Sequence, residues 1–158
     1  MNKLITLNFT NNDLTLLPDP LFKDLTNLQN LTLRQNKIST WGDRLFKRTS
    51  KLKSLDLSQN MIALINSSSV QDLTSLITLD LQQNPFACTC DLRWFRDFMN
   101  TTKINLVQSN RYLCNTPPEW HGKKLLTFDR NKINCLWFTK TAVIMAAVGG
   151  FLLFLVIA

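Results

Sequence analysis

A 24-residue step runs through the first half of this chain and leaves it few folds to choose from. Leu4, Leu28, Leu52 and Leu76 share one slot of the repeat, and Leu7, Leu31, Leu55 and Leu79 the slot three residues on. Phe9, Leu33, Leu57 and Leu81 follow, then Asn12, Asn36, Asn60 and Asn84, then Leu14, Ile38, Ile62 and Phe86. The return half keeps the same register, with Leu17, Trp41 and Ile65, and then Phe22, Phe46 and Val70. Three full copies of an LxxLxLxxNxL pattern and the start of a fourth are present over residues 1–86. A fixed period of this length marks a solenoid.

The spacing has a physical reason. Apolar residues two apart, such as Leu55 and Leu57, point to one side of a strand. Each copy therefore supplies one short strand with its leucines inward, and the strands of successive copies lie parallel. The asparagine after the strand can bond backbone groups left free at the turn, and a column of such asparagines makes a ladder. One copy cannot bury its apolar face alone, so stability comes from stacking. The fold expected is an α/β leucine-rich repeat solenoid of parallel short strands.

The residues between the strand leucines face the concave side: Thr6, Asn8, Thr10, then Asn30, Thr32, Arg34, then Ser54, Asp56, Ser58, then Thr78, Asp80, Gln82. With one base and two acids, this is no basic groove. The chain as a whole carries 18 Lys and Arg against 11 Asp and Glu, a net charge of +7. A basic cluster of Arg44, Lys47, Arg48, Lys51 and Lys53 falls mostly on the convex return and the turn. There the simplest reading is a solvated flank, and no aromatic residue interleaves to stack nucleic-acid bases.

Four cysteines follow the repeats, with Asn84-Pro85-Phe86-Ala87-Cys88-Thr89-Cys90 leading to Cys114 and Cys135. Zinc sites favour two to four residues between paired ligands plus His or further Cys pairs, and the single His121 offers little. No metal ligation is expected. An even cysteine count beside N-x-[ST] sequons at Asn8, Asn30, Asn66 and Asn100 points to two disulfides in an oxidising compartment. Cys88 and Cys90 are too close to pair with each other, and spacing does not choose between the two remaining arrangements. Asp91 is expected to cap a helix carrying Leu92, Trp94, Phe95 and Phe98. Trp120, Leu125, Leu126 and Phe128 add apolar surface, so residues 87–135 are expected to close the solenoid. Glycans at Asn8 and Asn30 would obstruct the concave face and move ligand contact to a lateral edge.

Thr141 to Ala158 carry no charge. As a helix they would be about 27 Å long, enough for one membrane crossing. Trp137 and Lys140 stand where interfacial anchors belong, and Ala142, Ala146 and Gly150 form a small-xxx-small stripe. A transmembrane helix is expected over 136–158, oriented by the disulfides and sequons with the amino end outside. A simple soluble domain and a multi-span membrane protein are both excluded. Met1 runs directly into repeat sequence with no signal peptide visible, and no capping segment covers Leu4 and Leu7. The expectation is a fragment of a longer chain. With one His and four Gly, no catalytic set and no phosphate loop, neither an enzyme nor a resident cofactor is expected.

These features together resemble the membrane-proximal end of a Toll-like receptor: 24-residue repeats, Asn-Pro-Phe-x-Cys-x-Cys, a four-cysteine cap and an apolar span close behind. Within that family, Cys88-Thr89-Cys90, Trp94-Phe95, and Tyr112 to Pro118 with His121-Gly122 are most like the double-stranded-RNA-sensing member. The resemblance implies disulfides Cys88–Cys114 and Cys90–Cys135. It implies ligand-driven homo- or heterodimers that meet through the cap, at Thr116 and Pro117, with Glu119 nearby. It also implies a microbial ligand, nucleic acid among the candidates, bound mainly by upstream repeats, and an adaptor recruited by a TIR domain, both outside this sequence. The location implied is a single-pass type I protein of the cell surface or endosomal membrane. The competing expectation is a leucine-rich adhesion receptor whose solenoid binds another protein.

Overall fold

The computed structural model describes residues 3–128, 144–148 and 151–155. The repeats supply strands β1 (Thr6–Asn8), β2 (Leu16–Leu17), β3 (Asn30–Thr32), β4 (Thr40–Trp41) and β5 (Ser54–Asp56), the four-residue helix α1 (Ser68–Gln71), and then β6 (Thr78–Asp80). Strand β7 (Phe86–Ala87) leads into helix α2 (Arg93–Thr101), and β8 (Asn105–Leu106) and β9 (Cys114–Thr116) follow. A parallel sheet in the order β1-β3-β5-β6-β8 forms the concave side. Its register steps by one repeat at each pairing, Leu7 to Leu31 to Leu55 to Leu79. The last step pairs Leu79 with Leu106. That fifth strand is hidden from the repeat pattern, because β8 lies off the 24-residue step. The cap is thus continuous with the repeat sheet, and the expected boundary at residue 86 falls inside β7.

The inward leucines make the core. Leu28, Leu33, Ile38, Leu57, Ile62, Phe86 and Phe95 have no exposed surface. In the first coil Leu4, Phe9 and Leu16 are exposed, and a shallow apolar hollow opens among Leu7, Leu14, Phe22 and their neighbours. On the return side Phe22 stacks on Phe46, with ring centroids 6.3 Å apart. The return is built of i→i+3 turns such as Leu45 N–H to Gly42 O and Lys47 N–H to Arg44 O. Only α1 reaches a helix there, because each return has few residues in which to get back to the next strand.

The asparagines do not stack on one another. They are joined through shared carbonyls instead. The Asn60 amide donates to Leu33 O at 3.0 Å, Leu57 O at 3.1 Å and Ser58 O at 3.1 Å, while its Oδ1 accepts Ile38 N–H at 3.0 Å. Asn36 also donates to Leu33 O, and Asn84 also donates to Leu57 O. Each strand carbonyl therefore ties two successive coils. The residue before each asparagine carries a left-handed backbone: Asn11, Gln35, Gln59 and Gln83 have φ between 54° and 59°. That twist costs a non-glycine residue about 1–2 kcal/mol. It aims the N–H of Gln59 at Gln82 O of the next coil, 2.8 Å away.

One local expectation is corrected. Asp91 lies inside a 3-10 turn, Cys90–Leu92, and α2 begins at Arg93 with Leu92 at its cap and no side-chain cap bond. The helix is held by packing instead, through rings of Trp94, Phe95 and Phe98 within about 6 Å of each other. The apolar end is a separate unit. Its described residues are two antiparallel strands, β10 (Ile144–Val148) and β11 (Phe151–Leu155), paired Ile144 to Leu155 through Val148 to Phe151. Valine, isoleucine and phenylalanine on either side of Gly149-Gly150 make a hairpin pattern. No helix among the described residues is long and apolar enough to cross a membrane. Trp137, Lys140 and Ala142 lie outside the described residues.

Candidate functional site

The candidate surfaces are those that the coils and the cap present to solvent. On the concave sheet the strand side chains between the leucines stand outward. Asp56 and Asp80 are register partners on β5 and β6. Asp56 accepts the Ser58 N–H at 2.9 Å and the Ser58 hydroxyl at 2.6 Å. Asp80 accepts the Gln82 N–H at 2.9 Å and its amide at 3.1 Å. Partial burial raises the Asp80 pKa above the usual carboxylate value, and the Asp56 charge adds to the rise. Arg34 donates from Nε to Gln59 Oε1 at 3.2 Å, and Gln59 donates in turn to Gln83. The face is mixed and polar, as its composition indicated.

At the cap, a disulfide joins Cys88 to Cys114, with their Cα atoms 5.5 Å apart. It staples β7 to β9, which also pair as parallel strands, with Cys88 N–H donating to Thr116 O at 2.8 Å. Cys90 is disulfide-bonded as well; Cys135 lies outside the described residues. Tyr112 is buried beneath this staple, 5.8 Å from Phe86 between ring centroids. Its hydroxyl accepts the Leu81 N–H at 3.1 Å, and burial pushes its pKa well above the ordinary phenol value. The tyrosine thereby satisfies a repeat-strand donor at the edge where regular repetition ends.

Thr116 and Glu119 are exposed beside half-buried Pro117. Thr116 ends β9, Pro117 follows it, and Glu119 lies in the 3-10 turn Pro118–Trp120. Next to them a cleft of about 250 Å³ opens, lined among others by Gln83, Pro85, Arg111, Leu113 and His121. His121 Nδ1 lies 2.9 Å from Asn115 O. Repeat periodicity could not place Arg111, Leu113 and His121, because they come from the aperiodic cap; Gln83 and Pro85 come from the last repeat. The four sequon asparagines are all exposed. Asn8 and Asn30 stand on β1 and β3 of the concave sheet. Asn66 lies on the return side just before α1, and Asn100 lies in α2. Among the described residues no cluster of His, Cys, Asp or Glu is arranged to hold a metal.

The basic flank divides. Lys51 Nζ donates to Asn27 Oδ1 at 2.6 Å. Arg44, Lys47 and Arg48 instead meet Lys23 of the preceding coil around a cleft of about 540 Å³. Lys23 joins the basic cluster because the repeat step places it in the same slot as Lys47.

Comparison with known proteins agrees with this geometry. Leucine rich repeat families match residues 26–86 and 3–25. Over 47 residues the chain is 49% identical to Toll-like receptor 3 of Boselaphus tragocamelus and 47% identical to that of Homo sapiens. Each match covers 28% of this chain but only 5% of the receptor's length. Human trophoblast glycoprotein has a similar structure, with a TM-score of 0.75 at 23% identity. That likeness spans 84% of this chain and 48% of the other. A second likeness, with a TM-score of 0.74 at 25% identity, is to the octameric complex of latrophilin 3, Unc5D and the leucine-rich repeat protein FLRT2. It covers 85% of this chain and 40% of that one.

Proposed function

The chain is a leucine-rich repeat protein, and on that premise we propose that it is the closing end of a Toll-like innate immune receptor that pairs through its cap and signals across a membrane. The 49% identity to Toll-like receptor 3 carries this reading. In it, Thr116, Pro117 and Glu119 form the surface where two receptor chains meet. The disulfide Cys88–Cys114 holds β9 rigid behind them, and a rigid edge loses little entropy on docking. Ligand binds mainly to repeats ahead of residue 1, where glycans at Asn8 and Asn30 do not shield it.

The uncharged stretch 141–158 is the anchor, with the amino end extracellular or lumenal. Two lone strands leave unpaired N–H and C=O groups along both edges, which hydrocarbon does not tolerate, whereas a helix satisfies all of them internally. A bilayer therefore favours the helical form of this segment. An adaptor is recruited by a TIR domain beyond Ala158. The protein acts by binding and carries out no catalysis.

The test is self-association of the full chain in cell membranes. Two copies with different tags are expected to resist carbonate extraction and to co-precipitate. Thr116→Arg with Glu119→Arg is expected to weaken that association about tenfold, the scale of one lost interface contact cluster. Copies that remain apart would remove the receptor-pairing reading. They would favour a second one, a cell-surface adhesion protein that binds a different protein. The likeness over 85% of the chain to the complex in which FLRT2 joins latrophilin 3 and Unc5D supports that alternative.

A further inference from the structure

The cleft on the return side has a construction that the receptor reading does not use. It is lined by Asp19, Pro20, Lys23, Asp24, Arg44, Leu45, Lys47 and Arg48, contributed by two successive coils. Lys23 and Lys47 occupy equivalent positions one repeat apart, each donating its N–H to the carbonyl three residues earlier. All four cationic side chains are exposed. The ion pairs among the described residues are Lys37–Asp13 and Arg96–Asp97, so none of these four has a carboxylate partner there.

The reason lies in Asp19. Its carboxylate is turned into the backbone, accepting the Arg44 N–H at 3.0 and 3.1 Å. It fills the notch over Gly42, where a Cβ would lie 2.1 Å from Asp19 Oδ1. Asp19 thereby fastens one coil to the next and bonds backbone rather than a cationic side chain; Asp19 and Asp24 together leave the four cations in excess by two.

We propose that this cleft binds a segment of sulfated polysaccharide. Like charges set one repeat apart suit an anion that itself repeats, and guanidinium and ammonium groups together match sulfate oxygens. A cleft of about 540 Å³ has room for a few sugar rings. Nucleic acid is the weaker fit. No aromatic side chain lines the cleft to stack on bases. The disulfide belongs to compartments where sulfated glycans are met.

The experiment measures binding of the full 158-residue chain, in detergent, to immobilised heparin over a range of salt. Four engaged cations predict a log–log salt slope of about three to four, by counterion release. Lys47→Gln with Arg48→Gln is expected to lower that slope by about two and to weaken binding at least about tenfold. Lys123→Gln with Lys124→Gln removes the same charge from the cap and is expected to leave both nearly unchanged. Unchanged melting temperatures confirm that both variants remain folded; if the first pair does not, Lys23→Gln, on the preceding coil, takes its place. Equal weakening by the two pairs, no retention at low salt, or duplex RNA competing more tightly than free heparin would each overturn the proposal.

Discussion

Asn60 shows how much of this fold rests on single side chains. Four hydrogen bonds meet on one buried amide. Removing it strands the Ile38 N–H and takes one donor from the Leu33 and Leu57 carbonyls. Asn60→Ala is expected to cost about 1–3 kcal/mol, measured as a lower urea midpoint with an unchanged slope; an unchanged midpoint would contradict the ladder. The asparagine column could be read from the sequence, since its period is regular and its chemistry leaves few other roles. The left-handed residue just before it was not legible. Asn11 and the glutamines at 35, 59 and 83 are ordinary polar residues in sequence, and only the turn geometry forces their φ positive. The notch of Gly42 was hidden for a similar reason, because its neighbour Asp19 lies one coil away.

At the level of elements, the strands β5 and β6 set two carboxylates side by side. Because the folded-state pKa of Asp80 is raised, its contribution to stability is fully present below the unfolded-state value and is lost as pH rises through the folded-state value. At neutral pH the charged side chain therefore opposes folding. Asp80→Asn keeps an acceptor for the Gln82 N–H and removes the repulsion. It is expected to stabilise by about 0.2–1 kcal/mol at pH 7, the range for like charges across a strand pair. The gain should vanish below the carboxylate range, where the wild type is protonated too. Urea titrations at acidic and neutral pH check this; an equal gain at both would point to packing instead. Periodicity placed these strands and their inward leucines correctly, but Ser58, expected on the concave face, is buried. It failed at β8 and at the start of α2. There the chain leaves the repeat, and pairing is decided by which backbone groups the last coil leaves open.

For the whole molecule, the cap is part of the solenoid. It extends the sheet through β8, covers Phe86 with Phe95 and Tyr112, and is tied to the last repeat through Cys88–Cys114. Cys114→Ser is therefore expected to destabilise the repeats as well as the cap, by about 2–5 kcal/mol. Surface display of this variant should fall well below that of the wild type; equal display would argue that the staple is dispensable. By itself the sequence determined the solenoid, its inward leucines and outward polar rows, its asparagine column and the presence of a cysteine cap. Each of these repeats or follows from local chemistry, so a period or a spacing is enough to reveal it. Only the tertiary structure decided that the cap donates a sheet strand, that Lys23 joins Lys47 and Arg48 around one cleft while Asp19 bonds the Arg44 N–H, and that Tyr112 serves a repeat-strand N–H. Those contacts join residues one coil or more apart, and what brings them together is the stacking of coils, which no single stretch of sequence encodes.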